Sequence, residues 1–189
     1  GLLGVNLDFY YTKTTDMLLD VPVPSVSGFT KSLMNIGSMQ NKGIEVNLSS
    51  RKQIGDFHYE LTANWSLNRN KVLSLGDEDA PMIVESSYAG GYYITQVGQP
   101  VGCYYLMVQD GIFHNQEELD SYPHFDTTVV GDFRFVDADG DGVLEKDDDR
   151  VIVGNYMPDF YYGFGLSLGY KGVDFLANFQ GVYGNEILN

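Results

Sequence analysis

The chain has 189 residues with 26 acidic and 11 basic side chains, and its formal charge is −15. Phosphate binding requires clustered Lys and Arg, so this charge excludes nucleic acid as a partner and argues against binding to an anionic membrane surface. No apolar run approaches the roughly 18 residues of a spanning helix, which excludes a helical membrane protein. A membrane β-barrel is compatible with this composition, because barrel strands alternate between apolar and polar residues and keep the mean hydropathy low.

Five segments alternate between apolar and polar residues with period two, which predicts strands with one apolar and one polar face. These segments are residues 5–12, 44–49, 57–68, 160–170 and 173–182. Most are about 9–12 residues long, which suits tilted strands that cross a bilayer. Aromatic residues gather towards the strand ends, where the interfacial girdles of membrane barrels lie.

The connections between these segments are short at one end and long at the other. Residues 54–56 and 171–172 form tight turns, whereas a loop covers residues 15–41 and an insertion covers residues 70–159. We expect short strands in the insertion and a helix that begins after Asn115, a typical N-cap residue. This asymmetry is typical of outer-membrane barrels, whereas a soluble antiparallel sheet with one solvated face also alternates.

An acidic loop at residues 137–148 has the spacing of a calcium-binding loop. The candidate ligands are Asp137, Asp139, Asp141, the carbonyl of Val143 and Asp148. Alternate carboxylates can converge on one ion, and Ca²⁺ prefers six to eight oxygen ligands. Gly142 allows the sharp turn that such a loop makes. We therefore expect this loop to bind a structural Ca²⁺ ion.

The last ligand position of the loop departs from the usual pattern. Glu is usual there, and the shorter Asp148 side chain predicts weaker binding, towards the millimolar range of extracellular modules. Because the flanking elements are predicted strands, we interpret the loop as a structural staple and not as a helix–loop–helix sensor. The alternative is a solvated acidic turn without metal, which would crowd seven carboxylates around Lys146.

No arrangement of side chains in the sequence indicates catalysis. The three histidines, His58, His114 and His124, are scattered without metal-ligand spacing, and no carboxylate pair stands out among the acidic residues. The sequence also contains no nucleophile elbow and no phosphate-binding loop. We therefore expect that the protein is not an enzyme.

Five motifs follow one another over nearly the whole chain. They are Asp16-Met17-Leu18-Leu19, Asn41-Lys42-Gly43-Ile44-Glu45, Val97-Gly98-Gln99-Pro100-Val101-Gly102, the acidic block at residues 137–164, and Gln180-Gly181-Val182-Tyr183-Gly184-Asn185. In this order they resemble the C-terminal barrel region of the SusC/RagA family of TonB-linked outer membrane proteins. The combination is far more specific than any one motif.

The resemblance implies an all-β fold in which residues 1–189 are an antiparallel segment of a 22-stranded transmembrane β-barrel with long structured extracellular loops. It implies a Gram-negative outer-membrane importer of oligosaccharides or peptides, driven through TonB, covered by a SusD-type lipoprotein and surrounded by outer-membrane lipid. The tight turns then face the periplasm, and the insertion with its acidic loop faces outside. Both ends of the chain lie beside predicted strands, so we expect a fragment of a longer protein.

A second hypothesis is a soluble secreted β-domain that is stapled by calcium and binds carbohydrate or mediates adhesion. The two hypotheses differ in what surrounds the apolar strand faces. In a barrel wall these faces contact lipid, whereas in a soluble domain they pack into a core.

Overall fold

The computed structural model describes residues 3–22, 31–76, 79–85 and 91–188. Nearly all regular structure in these ranges is β-strand. The chain divides into two compact units. The first comprises residues 1–81, 95–101 and 156–187, and the second comprises the remainder. No helix within the described ranges is long and apolar enough to cross a membrane.

The strands and the helix follow one another along the chain in a simple order. They are β1 (Gly4–Pro22), β2 (Lys31–Ile54), β3 (Phe57–Leu75), β4 (Met82–Glu85), β5 (Tyr92–Thr95), β6 (Cys103–Met107), β7 (Gln109–Ile112), α1 (Gln116–Ser121), β8 (Phe133–Phe135), β9 (Arg150–Gly154), β10 (Phe160–Tyr170) and β11 (Val173–Tyr183). The first unit is built on one antiparallel sheet with the strand order β1-β2-β3-β10-β11. The strands β3 and β10 are therefore neighbours in the sheet although the second unit lies between them in sequence.

Residues opposite one another in the register share a face of this sheet, so the register shows which side chains lie together. Phe9, Ile44 and Leu67 form a row of the apolar face across β1, β2 and β3. On the polar face, Thr62 and Asn178 lie on either side of Gly165. The strands predicted at residues 160–170 and 173–182 are confirmed to within one residue, and no register shift interrupts their pairing.

The strands β1 and β2 are much longer than predicted. The loop predicted over residues 15–41 is wrong, because residues 15–22 continue β1 and residues 31–41 belong to β2. The remainder of that predicted loop, residues 23–30, lies outside the described ranges.

Bulges explain why the sequence pattern failed in these strands. The register of β1 against β2 shifts near Met17, and the register of β2 against β3 shifts between Ser38 and Met39. Asp16 lies in the first of these irregularities and has a φ of 57°. A bulge adds one residue to a strand and moves the following side chains to the opposite face, so period two is lost.

Glycines on the polar face of β10 make room for side chains of the neighbouring strand. A Cβ atom at Gly165 would collide with Thr62, and a Cβ atom at Gly169 would collide with His58. Polar side chains of β3 therefore lie across β10, and they can do so only because these positions of β10 have no side chain.

The edge of β3 beyond the end of β10 is covered by a turn of the chain. The amide of Val72 donates to the carbonyl of Gln99 at 2.9 Å, and the amide of Gly98 donates to the carbonyl of Val72 at 3.0 Å. Asn70 holds the same turn, because its side-chain oxygen accepts from the amide of Val101 at 2.9 Å. The turn thus satisfies backbone groups that an edge strand would otherwise leave unpaired.

The second unit contains a four-stranded sheet in the order β4-β5-β6-β9 and a two-stranded sheet of β7 and β8. The helix α1 begins as predicted, because the side-chain oxygen of Asn115 accepts from the amide of Glu118 at 2.9 Å. Phe113 is almost fully buried and packs edge-on against the rings of Tyr122 and His124, which follow the helix in sequence. These contacts give the unit a small core of its own.

The turn between β10 and β11 requires two residues in the left-handed region of the backbone. Lys171 and Gly172 form it with φ angles of 48° and 84°. The left-handed region is unfavourable for residues with a Cβ atom, so Gly172→Val should lower the free energy of unfolding by roughly 1–2 kcal/mol. Lys171→Asn should be neutral or slightly stabilising, because Asn tolerates this conformation. Urea titration of the detergent-solubilised protein measures both, and equal losses in the two variants would contradict the assignment.

Candidate functional site

The acidic loop of the second unit joins β8 to β9 and wraps around the carboxylate of Asp137. This carboxylate accepts hydrogen bonds from the amides of Gly140 at 2.7 Å and Gly142 at 2.8 Å. Both glycines have positive φ angles, 78° and 86°. Few other residues adopt this conformation, so the two glycines are what allow the loop to close around Asp137.

The next two aspartates make local bonds of the same type. Asp139 accepts from the amide of Asp141 at 3.1 Å, and Asp141 accepts from the amide of Val143 at 2.7 Å. A carboxylate has about four lone-pair sites, so each of these groups retains the capacity to bind a cation.

Asp149 ties the beginning of the loop to its end. Its side chain is 1% exposed, and its two oxygens accept from the amides of Ala138 and Glu145, each at 2.7 Å. Leu144 is 7% exposed and fixes the middle of the loop to the interior of the unit. The loop is therefore held by one buried carboxylate and one buried apolar side chain.

The structure brings together only part of the predicted ligand set. Carboxylate oxygens of Asp137, Asp139 and Asp149 lie within 4.8 Å of one another. One ion could contact all three, given Ca–O distances of about 2.3–2.6 Å. The predicted ligands Asp141 and Asp148 lie outside this group. Calcium binding stays a prediction, and Asp149 joins the candidate ligands.

The loop lowers the pKa of one carboxyl group and raises the pKa of two others. The amide of Gly142 lowers the pKa of Asp137 and thereby favours its charged form. The negative charge of Asp148 raises the pKa of Glu145. The amide of Asp141 acts to lower the pKa of Asp139, but lost hydration and the negative charge of Asp141 outweigh it and raise the pKa. A bound cation would relieve this repulsion.

Asp149 is the residue that reasoning from the loop spacing missed. The 12-residue register ends at Asp148, and nothing in the spacing marks the next residue as buried. The amide of Asp149 donates to the carbonyl of Glu145 at 3.1 Å, which closes a single helical turn. This turn places Asp149 under the loop and leaves Asp148 exposed.

The polar face of the large sheet carries a second feature, an open groove of about 580 Å³ over β10 and β11. Its polar lining includes Thr62, Asn64, Asn178 and Gln180. Amide and hydroxyl side chains both donate and accept hydrogen bonds, as sugars and peptide groups do. The groove therefore suits a hydrated polar molecule.

A family described as "TonB dependent receptor-like, beta-barrel" matches residues 1–186. The chain belongs to this family. Its relatives include TonB-dependent receptors P26 and P3 of Formosa agariphila, which are 37% and 34% identical over 100% and 99% of the chain. SusC of Bacteroides thetaiotaomicron is 25% identical over 99% of the chain. The match covers 19%, 19% and 18% of the length of these three proteins.

Two solved structures of the RagAB peptide importer share this fold. The open-open and closed-closed states superpose with TM-scores of 0.72 and 0.70, at 25% identity over 97% of this chain and 19% of theirs. The resemblance to SusC and RagA, the antiparallel barrel-type fold and the location in a Gram-negative outer membrane are thus confirmed. The relatives are receptors and transporters rather than enzymes.

The role of Asp149 as a tie within the loop can be tested without metal. Asp149→Ala leaves two amides without their acceptor and should cost roughly 1–3 kcal/mol for each. The loop should then be cut much faster by a protease in the presence of EGTA. Asp148→Ala is the matched control, because this neighbouring side chain is exposed. Equal cutting rates in the two variants would show that Asp149 does not hold the loop.

Proposed function

We propose that the chain forms part of the wall and outer surface of a TonB-dependent importer of oligosaccharides or peptides, which works with a SusD-like surface lipoprotein. The observation that carries this proposal is the two-faced sheet of β1, β2, β3, β10 and β11. An 11-residue strand such as β10, tilted by about 40°, spans roughly 25 Å, which is the height of the apolar band of membrane barrels.

The apolar face of the sheet, which we assign to the outside of the barrel, is mainly apolar over this height. Its exposed side chains include Val5, Leu7, Phe9, Phe164, Phe175 and Phe179. Phe9 is 69% exposed and Phe179 is 63% exposed. Exposure of these side chains to water is unfavourable in free energy, whereas contact with lipid tails is favourable.

The polar face, which we assign to the inside of the barrel, supports the proposal that the cargo is polar. The groove over β10 presents hydroxyl and amide groups, and glycines of β10 leave room for these polar side chains. A polar interior of this kind lines the lumen of membrane barrels. The relatives named RagAB are peptide importers, whereas sugars offer the same hydrogen-bonding groups, so the proposal keeps both cargo classes.

The proposal also orients the chain. Tight turns at residues 55–56 and 171–172 connect the strands at one end of the sheet, whereas the long connection from β3 to β10 leaves from the opposite strand ends. In outer-membrane barrels the short turns face the periplasm and the long loops face outside. We therefore place the second unit, with its acidic loop, on the cell surface, where the lipoprotein and the cargo arrive.

The soluble adhesion domain is the weaker alternative. It requires the apolar strand faces to pack into a core. Within the first unit, the described residues of these faces stay largely exposed along β1 and β11. A monomeric soluble protein rarely exposes an apolar surface of this extent.

We further propose that the acidic loop holds a Ca²⁺ ion as a staple of the surface unit. The donors in the described residues fit this ion, because Asp137, Asp139 and Asp149 offer hard carboxylate oxygens that converge within 4.8 Å. The ion would neutralise repulsion between them and stiffen the connection from β8 to β9. No step of transport is assigned to it.

Transport and wall position are tested together in a strain that lacks the gene for the full protein. The strain should lose uptake of one class of oligosaccharide or peptide, and the loss should be the same without TonB. The two faces are tested by reintroducing variants into this strain. Leu166 faces the lipid near the middle of β10, so Leu166→Lys should lower the free energy of unfolding by about 2–4 kcal/mol and should not restore uptake. Ser167 is the next residue and lies on the inner face, so Ser167→Lys should still restore uptake. Equal behaviour of the two variants would contradict the assignment of the faces, and unchanged uptake in the deletion strain would contradict import.

Calcium binding is tested by thermal unfolding of the full protein in detergent, with Ca²⁺ or with EGTA. Ligand at 100 times its dissociation constant stabilises the folded state by about 2.7 kcal/mol. The double variant Asp137→Ala/Asp139→Ala should lose this stabilisation. Asp126→Ala, an exposed acid of the same unit, should keep it. An undiminished calcium response in the double variant would rule out this loop as the site.

A further inference from the structure

Four cations lie together on the outer face of the large sheet, directly beyond the apolar band. The register places Tyr11, Lys42 and Arg69 in one row across β1, β2 and β3. The next row is Lys13, Gln40 and Lys71. The hydroxyl of Tyr11 donates to the side-chain oxygen of Gln40 at 3.2 Å, which shows that the two rows share one face.

These rows follow immediately on the apolar row Phe9, Ile44 and Leu67, so the change from apolar to cationic takes place within one step of the sheet. Neighbouring strands lie about 4.8 Å apart and successive residues of one face about 6.8 Å apart. The four ammonium and guanidinium groups, defined here as the cation patch (Lys13, Lys42, Arg69 and Lys71), can therefore reach a common point with their long side chains.

The charge of the cation patch is largely uncompensated. Arg69 pairs with Asp159 at 2.8 Å. Among the residues that the structure describes, no carboxylate lies within 4.0 Å of the ammonium group of Lys13, Lys42 or Lys71. All four side chains of the patch are exposed. The patch thus holds four of the 11 cations of a chain whose net charge is −15.

An apolar groove of about 370 Å³ adjoins the patch on the membrane side. It is lined by Phe9, Tyr11, Ile44 and Leu67, and it reaches Lys42 and Arg69 at its upper rim. Aromatic and aliphatic walls below a cationic rim match the two halves of a lipid, an acyl chain and an anionic headgroup.

We propose that the cation patch and this groove bind a phosphorylated lipid of the outer leaflet. Phosphate is the anion that fits best, because it can contact several Lys and Arg groups at once and carries more charge than a carboxylate. The patch lies on the face that meets lipid, which favours a headgroup over a soluble anion. This proposal departs from the expectation drawn from net charge, because four cations are clustered on one face although the chain as a whole is acidic.

This inference rests on the orientation given under the proposed function, in which the inserted unit faces outside. The full-length protein is purified in mild detergent, and binding of diphosphoryl lipid A is measured by native mass spectrometry and by thermal stabilisation. The patch variant is Lys13→Gln/Lys42→Gln/Lys71→Gln, which leaves the Arg69–Asp159 pair in place. The control variant is Arg51→Gln/Lys52→Gln/Lys171→Gln, which removes the same charge near the tight turns.

We expect binding to weaken at least roughly tenfold in the patch variant and to remain unchanged in the control variant. Equal affinities of the two variants would overturn the proposal, and so would a loss confined to the control variant. Inorganic phosphate at millimolar concentration should neither stabilise the protein nor displace the lipid, and equal binding of phosphate alone would indicate a soluble-anion site instead. Cargo uptake is measured separately in the same variants, so failure of lipid binding with uptake intact leaves the importer proposal standing.

Discussion

Backbone amides and carbonyls inside a bilayer have no water to bind, so the protein itself must pair each of them. The large sheet meets this requirement with long antiparallel registers, and β10 is paired to β3 on one side and to β11 on the other. Pairing fixes which side chains share a face, so one face is mainly apolar along β10 and its neighbours and the other is mainly polar. The outer edges of β1 and β11 have no partner strand within the described ranges, and in the proposed barrel other strands of a longer protein pair with them.

The acidic and basic side chains are concentrated in different parts of the protein. The strongly negative net charge is concentrated partly in the acidic loop of the second unit, where backbone amides and a helical turn hold the carboxylates together. The cation patch, in contrast, is confined to the lipid-facing side just beyond the apolar band. A cation in the acidic loop and an anionic headgroup on the cation patch, both proposals, would each stabilise the unit that binds it.

Sequence patterns predicted best where period two is undisturbed. The strands β10 and β11 and the cap of α1 by Asn115 follow from local rules that use neighbouring residues alone. The outer parts of β1 and β2 escaped prediction because bulges near Met17 and Ser38 break the alternation. Asp149 was not predicted as a ligand, because its burial depends on how the whole loop folds back. The cation patch was not predicted, because it combines residues from three strands, and the register between strands cannot be read from any single segment.

The assignment of one face of the sheet to lipid and the other to the lumen is tested directly by site-directed spin labelling. Single cysteines at residues 174–180 of β11, in a Cys103→Ala background of the full protein, are labelled in outer membranes, and collision with oxygen is compared with collision with a water-soluble nickel complex. We expect alternation, with Phe175, Ala177 and Phe179 more accessible to oxygen and Asp174 and Asn178 more accessible to nickel. Uniform accessibility along β11, or alternation in the opposite phase, would contradict it.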